Sequence, residues 1–121
     1  MAGAEFLMVI IKFKDGTDWF KANWVFRQLA EDTMAAFPND NALGLVLEKA
    51  QAFGALFLDS MEANAATSTL EALRKVAEET IQGKIQGWKG KRPEDKEGQQ
   101  MYLESITELL GFLRKQNLPP D

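Results

Sequence analysis

The sequence predicts an all-α protein, an up-and-down bundle of about four helices with an apolar N-terminal arm or strand. After Gly16, apolar residues recur at the i, i+3, i+4 spacing that is typical of amphipathic helices. The connections between these periodic segments are short, which favours antiparallel neighbours. We therefore expect a single helical domain over 1–121, with an N-terminal extension over 1–16 and the bundle over 17–117.

The first helix is predicted over 18–37. Thr17 can cap its N-terminus, and Asp18 in the first turn favours the positive end of the helix dipole. Pro38 ends the helix, because the residue before a proline avoids the α region. One face of this helix carries Ala22, Val25, Phe26, Leu29, Thr33, Ala36 and Phe37.

The second helix is predicted to begin after Asp40 or Asn41, either of which is a suitable N-cap. Its periodic face extends as far as Met61, which makes this the strongest helical pattern in the chain. Gly54 would lie in the helix interior, where close approach of another helix would explain it. The face comprises Leu43, Val46, Leu47, Ala50, Phe53, Gly54, Phe57, Leu58 and Met61.

The third helix is predicted to open at Ser68, which can form a capping box with Glu71 three residues later. Its apolar stripe continues as far as Trp88. Three glycines weaken its C-terminal end, so we expect fraying or a break near Gly83. The stripe comprises Leu70, Leu73, Val76, Ala77, Ile81, Ile85 and Trp88.

The fourth helix is predicted to start near Pro93, because proline is well suited to the first turn of a helix. Arg114 and Lys115 suit the negative end of its dipole. Its stripe comprises Tyr102, Leu103, Ile106, Leu109, Leu110 and Leu113.

The N-terminal stretch differs from the rest of the chain. Residues 6–13 are mostly apolar, and apolar and basic residues alternate over 11–14, which favours an extended strand. A single strand cannot satisfy its own backbone, and no second strand is predicted here. Three possibilities stay open: an arm or short helix that covers Phe20 and Trp24, a strand that pairs with another chain, or a disordered start.

The composition excludes several classes of function. The chain contains neither histidine nor cysteine, which removes the commonest general base and the usual zinc ligands. We therefore predict no enzyme activity and no catalytic, cofactor-binding or metal-binding residues. The net charge of −4 argues against nucleic acid and anionic membranes as partners. Neither a secretory signal nor a membrane-spanning run is recognisable, so we expect a cytoplasmic protein.

Acidic residues are concentrated in the middle of the chain. Residues 28–80 contain nine acidic and three basic side chains, which suggests a surface complementary to a basic protein cleft. Antiparallel packing would place the acidic pair of the second helix beside the aromatic pair of the first. The candidate partner-binding residues are Glu31 and Asp32 in the first helix, Asp59 and Glu62 in the second, and the aromatic pair Phe20 and Trp24.

Three features carry a family resemblance: a first helix that ends in Phe37-Pro38, a second helix rich in leucine and alanine, and a third opened by a hydroxyl-rich turn. With these features, the chain from Trp19 to Leu113 resembles the small all-helical immunity proteins of bacterial type VI secretion toxins. The group in question neutralises NAD-degrading effectors. The resemblance implies a cytoplasmic inhibitor that occludes the active site of a cognate toxin. The alternative is a homo-oligomeric interaction or adaptor module that dimerises through the N-terminal stretch and the first helix.

Overall fold

Four helices and a small three-stranded sheet form the described part of the chain. The structure is a computed structural model and describes residues 7–85 and 96–116. The fold is therefore mostly helical, with the predicted number of helices, but it is not purely all-α. In chain order the elements are β1 (Met8–Lys12), β2 (Asp18–Ala22), α1 (Asn23–Ala36), α2 (Asn41–Phe53), β3 (Ala55–Phe57), a 3₁₀ turn (Leu58–Ser60), α3 (Ala63–Ile81) and α4 (Lys96–Arg114).

The N-terminal stretch supplies the central strand of the sheet, whose order is β2-β1-β3. β1 pairs antiparallel with β2, so that Ile10 lies opposite Phe20, and parallel with β3, so that Ile10 lies opposite Ala55. The hypotheses that the N-terminal stretch is an arm, or that it pairs with another chain, are therefore wrong. The ladder partners of β1 are two strands of the same chain that the helical pattern concealed.

The first helix begins five residues later than predicted. Residues 18–22 form β2, and Ala22 at the N-cap of α1 makes no side-chain cap hydrogen bond. Thr17 lies in the turn between the strands, where its N–H donates to Asp15 Oδ1 at 2.9 Å, so its predicted capping role is wrong. Trp19 is buried and Phe20 exposed, the alternation of a strand with one covered face. Pairing with β1 thus overrides the helical pattern.

The second helix ends earlier than predicted, at Phe53. Gly54 follows it with a φ of 72°, in the left-handed region, and its N–H donates to the carbonyl of Ala50. Gly54 is therefore a C-cap rather than an interior residue approached by another helix. Phe57 and Met61 fit the helical period by coincidence, since they belong to β3 and to the segment after the 3₁₀ turn.

The third helix begins before the predicted capping box. Glu62 caps α3, because its carboxylate accepts a hydrogen bond from the Ala65 N–H at 3.0 Å. Ser68 lies within the helix, so the capping box is wrong. The break near Gly83 is confirmed: α3 ends at Ile81, and Gly83 has a φ of 80°.

The fourth helix is confirmed through its stripe, where Leu103 is the one partly exposed member. Its predicted start near Pro93, like the predicted core position of Trp88, falls outside the described residues.

The helices pack on one face of the sheet and form the core with it. Val9, Ile11 and Phe13 point into this core from the β1 segment. The Phe13 ring stacks on Phe112 of α4, with 5.7 Å between ring centroids. The buried Trp19 donates a hydrogen bond from Nε1 to the carbonyl of Ser105 at 3.2 Å. These two contacts fix α4 beneath the β1–β2 hairpin.

Replacing Gly54 by alanine should destabilise the protein. An L-residue in the left-handed region costs about 1–2 kcal/mol, so we expect the free energy of unfolding of Gly54→Ala to fall by that amount. Gly111 is a matched control, because it lies in α4 and a Cβ added there would meet no heavy atom within 4 Å beyond its own helix backbone. Gly111→Ala should raise the free energy of unfolding by about 0.5–1 kcal/mol. Urea unfolding followed by circular dichroism measures both, and equal stability of Gly54→Ala and wild type would contradict the capping role.

Candidate protein-binding face

One face of the sheet points away from the core and is exposed over most of its area, with α2 bordering it at β3, where Ala55 is buried. Side chains alternate along each strand, so the strand register decides which of them share this face. The middle row across the strands is Phe20, Ile10 and Ala55. We call the whole surface the outer face; it comprises Met8, Ile10, Lys12, Asp18, Phe20, Ala22, Ala55 and Phe57.

The outer face is apolar and exposes large aromatic side chains. Phe20 is 55% exposed and Phe57 46% exposed, while Phe53 at the adjoining end of α2 is 69% exposed. Since an aromatic side chain offers about 150–250 Å², these three together expose on the order of 300 Å². The largest apolar patch of a typical monomer has about this size and is often functional. The outer face is therefore the strongest candidate for a binding surface.

A groove of about 280 Å³ adjoins the outer face, between the C-terminal part of α2 and β3. Phe53 and Phe57 line it together with Val46 and Met61, and Lys49 contributes to its wall. We call it the α2–β3 groove. Because Phe57 belongs to both surfaces, the groove continues the outer face rather than forming a separate site.

Charge on the outer face is confined to one end. Lys12 and Asp18 lie side by side on β1 and β2, with 3.9 Å between Nζ and Oδ2. Both side chains are about two-fifths exposed, and ion pairs of this kind stabilise a protein by less than about 1 kcal/mol. The pair therefore contributes little to stability. The Lys12–Asp18 pair marks the end of the apolar surface on β1 and β2.

The predicted aromatic pair is divided between two elements. Phe20 lies on the outer face, whereas Trp24 is half-buried in the first turn of α1. The Trp24 ring packs against Tyr102 of α4, with 6.3 Å between ring centroids. The idea that both belong to one face of one helix is therefore wrong.

The first predicted acidic pair lies on α1 and is only partly at the surface. Glu31 is exposed, but Asp32 is partly buried and accepts a hydrogen bond from Gln28 Nε2 at 2.9 Å. Burial, and then the Asp32 carboxylate, raise the pKa of the Tyr102 phenol well above its ordinary range. Tyr102 thus stays neutral at pH 7. Asp32 faces a core residue as well as solvent, so Glu31 is the better candidate for contact with a partner.

The second predicted acidic pair lies near the other edge of the sheet from Phe20. Both are exposed; Asp59 lies in the 3₁₀ turn that follows β3, and Glu62 lies between that turn and α3. Because β1 separates β2 from β3, this pair lies beyond Phe57, rather than beside Phe20 and Trp24 as expected. Hydrogen bonds from the backbone N–H groups of Asn64 and Ala65, helped by the charge of Lys14, hold the pKa of Glu62 below its usual value.

Sequence reasoning misses the contribution of Phe53 and Phe57 to an exposed surface, because it places both on the buried face of the second helix. Gly54 is the available signal, since glycine directly after an amphipathic run is typical of a helix C-terminus. The run Ala55-Leu56-Phe57 then suits a short strand.

The remaining observations identify neither a chemical site nor a relative. Within residues 7–85 and 96–116, no three histidine, cysteine, aspartate or glutamate side chains gather to hold a metal ion. In the same ranges, no helix combines the length and apolarity needed to cross a bilayer. No family model, curated protein or solved structure matches the chain.

The capping role of Glu62 predicts a specific pH dependence. Because the folded-state pKa of Glu62 is lowered, its contribution to stability is present above the unfolded-state pKa and is lost as the pH falls through the folded value. Glu62→Gln should therefore lose less stability than wild type between pH 7 and pH 3. Urea unfolding at both pH values measures this, with Glu31→Gln as the control for loss of one exposed charge. An equal loss in Glu62→Gln and wild type would refute the capping role.

Proposed function

We propose that this protein acts by binding another protein through its outer face, without catalysing a reaction. The observation that carries the proposal is the outer face, with Phe20 and Phe57 exposed on it and Phe53 beside it. Aromatic side chains are enriched among the residues that dominate binding energy at protein interfaces. Phe20 and Phe57 lie on strands rather than on loops, so the sheet holds them in one arrangement before a partner arrives.

The partner that we propose is a cognate interbacterial toxin whose active site this protein occludes in the cytoplasm. The resemblance to immunity proteins of type VI secretion toxins supports this assignment. Charge supports it too, because the exposed Asp59 and Glu62 closely follow Phe57 in the chain, and an apolar anchor with acidic residues near it suits a toxin cleft with a basic rim. Steering by such charges speeds association, which an inhibitor needs if it is to bind before the toxin acts.

The alternative is self-association through the same face. One observation favours it. The N-terminal stretch, through which the alternative module would dimerise, forms β1 and supplies Met8 and Ile10 to the outer face. Three short strands make a face of at most about 16 by 14 Å, whereas a stable interface buries about 800 Å² on each partner. Two stacked outer faces would therefore hold a dimer only weakly. The dimensions favour a partner that also contacts the surroundings of the face.

Substituting Phe57 tests the proposed face. We expect Phe57→Lys to weaken binding to the product of the neighbouring gene by about 30-fold or more, because an aromatic anchor at an interface contributes about 2 kcal/mol or more. Met101→Lys is the matched control, since Met101 is also exposed but lies on α4. Calorimetry measures both affinities, and circular dichroism checks the fold. Equal weakening by both variants, or none by either, would reject the outer face as the interface.

The acidic pair Asp59 and Glu62 gives a separate kinetic prediction. Asp59→Lys should slow association with the same partner by about threefold or more at low ionic strength, and by less at high salt, because exposed charges are screened beyond about a Debye length. Asp59 is a cleaner test than Glu62, which also caps α3. Glu104→Lys on α4 serves as the control. Stopped-flow measurements that show the same rate for Asp59→Lys and wild type at low salt would remove this acidic pair from the interface.

A further inference from the structure

The dimensions of the outer face suit one particular kind of structure in the partner. The five-residue strands β1 and β2 give it a length of about 16 Å, which falls to about 10 Å at the three-residue β3, and three strands give it a width of about 14 Å. An α-helix with its side chains is about 10–12 Å across, and about 11 residues of helix extend about 16 Å. One helix of about three turns therefore covers the face. A helix packed on a sheet is also the usual way in which an apolar sheet face is buried.

The edges of the sheet are less suited to a partner strand. Lys21 lies on the inner side of β2, where its Nζ contacts Glu108 Oε2 of α4 at 2.7 Å. Inward-pointing charge on an edge strand is a recognised protection against strand addition. The other edge strand, β3, is three residues long and offers few backbone groups. The sheet therefore presents side chains rather than backbone to a partner.

The apolar row and the groove are continuous. From Phe20 the middle row crosses Ile10 to Ala55, and Ala55 also lines the α2–β3 groove beside Phe53. A helix on the outer face can thus place one large apolar side chain in the groove while its neighbours at i+3 and i+4 cover the row. The exposed acids Asp59 and Glu62 stand in the chain on either side of Ser60 and Met61, which line the groove, and Lys49 contributes one opposite charge to the groove wall. Basic residues on the polar side of the helix complement the two acids.

We infer that the outer face receives an amphipathic helix of the partner, with its apolar side on Phe20 and Ile10 and one side chain in the α2–β3 groove. The inference rests on the proposed function, since it names the part of the partner that the outer face recognises. A second copy of this chain and residues 1–6 of the same chain are the competing occupants.

A designed peptide tests the inference on the full chain. The probe is a 14-residue leucine–lysine peptide with leucine at helical spacing, and the control peptide has the same composition with strictly alternating residues. The methionine methyl groups, labelled with ¹³C, report binding by NMR. Met8 lies on the outer face and Met101 lies on α4, and both are exposed. We expect the helical peptide to shift the Met8 signal saturably at least fivefold more than the Met101 signal, and Phe20→Lys to abolish this shift.

The other outcomes separate the helix from its alternatives and from the proposed function. No saturable shift of Met8 at about millimolar peptide, or equal shifts with the alternating peptide, would overturn the helix. A Met8 shift on simple dilution of the free protein would identify a second copy as the occupant, and a peptide response that appears only after deletion of residues 1–6 would identify that segment. If the neighbouring gene product binds with Phe57 dependence but the peptide does not, the proposed function stands and the helix is wrong. If the peptide binds but the neighbour does not, the helix stands and the toxin assignment is wrong.

Discussion

The pairing of β1 with a strand on each side is the interaction on which the rest of the structure depends. A strand in the interior of a sheet satisfies its backbone N–H and C=O groups on both edges, which an isolated apolar strand cannot do. The partner strands are formed by residues 18–22 and 55–57. These residues are extended rather than helical, although their side-chain spacing would also permit a helix. The pairing therefore sets where α1 begins and where α2 ends, and it explains why Gly54 stands at a helix end rather than in a helix interior.

Strand formation also divides the aromatic residues between two faces. Trp19 and Phe13 point inward and are held by α4, through the Ser105 carbonyl and the Phe112 ring. Phe20 and Phe57 point outward, where each remains about half exposed. In a helical bundle, Phe57 would have faced the core with the rest of its stripe. The candidate binding surface is therefore a consequence of the sheet, and it would not exist in the all-α fold that the periodicity predicts.

Local patterns predict those parts of the fold that depend on local contacts. The stripe of α4 and the break of α3 near Gly83 follow from spacing and glycine content within one segment. The sheet cannot be predicted in this way, because β3 is paired with a strand more than forty residues earlier and is only three residues long. The candidate site, too, can be predicted from the sequence only in part. The sequence identifies Phe20 as an aromatic residue in need of cover, but its periodicity assigns Phe53 and Phe57 to a buried helical face.

The sheet leaves one face open while both of its edges are restricted. Lys21 points inward from β2 and pairs with Glu108, Asp18 places a further charge on that edge, and β3 is short. Such features oppose edge-to-edge association, which is the usual hazard of an exposed sheet. Restricted edges and an open apolar face together direct association to the face, because side chains rather than backbone groups are what the sheet leaves available to a partner.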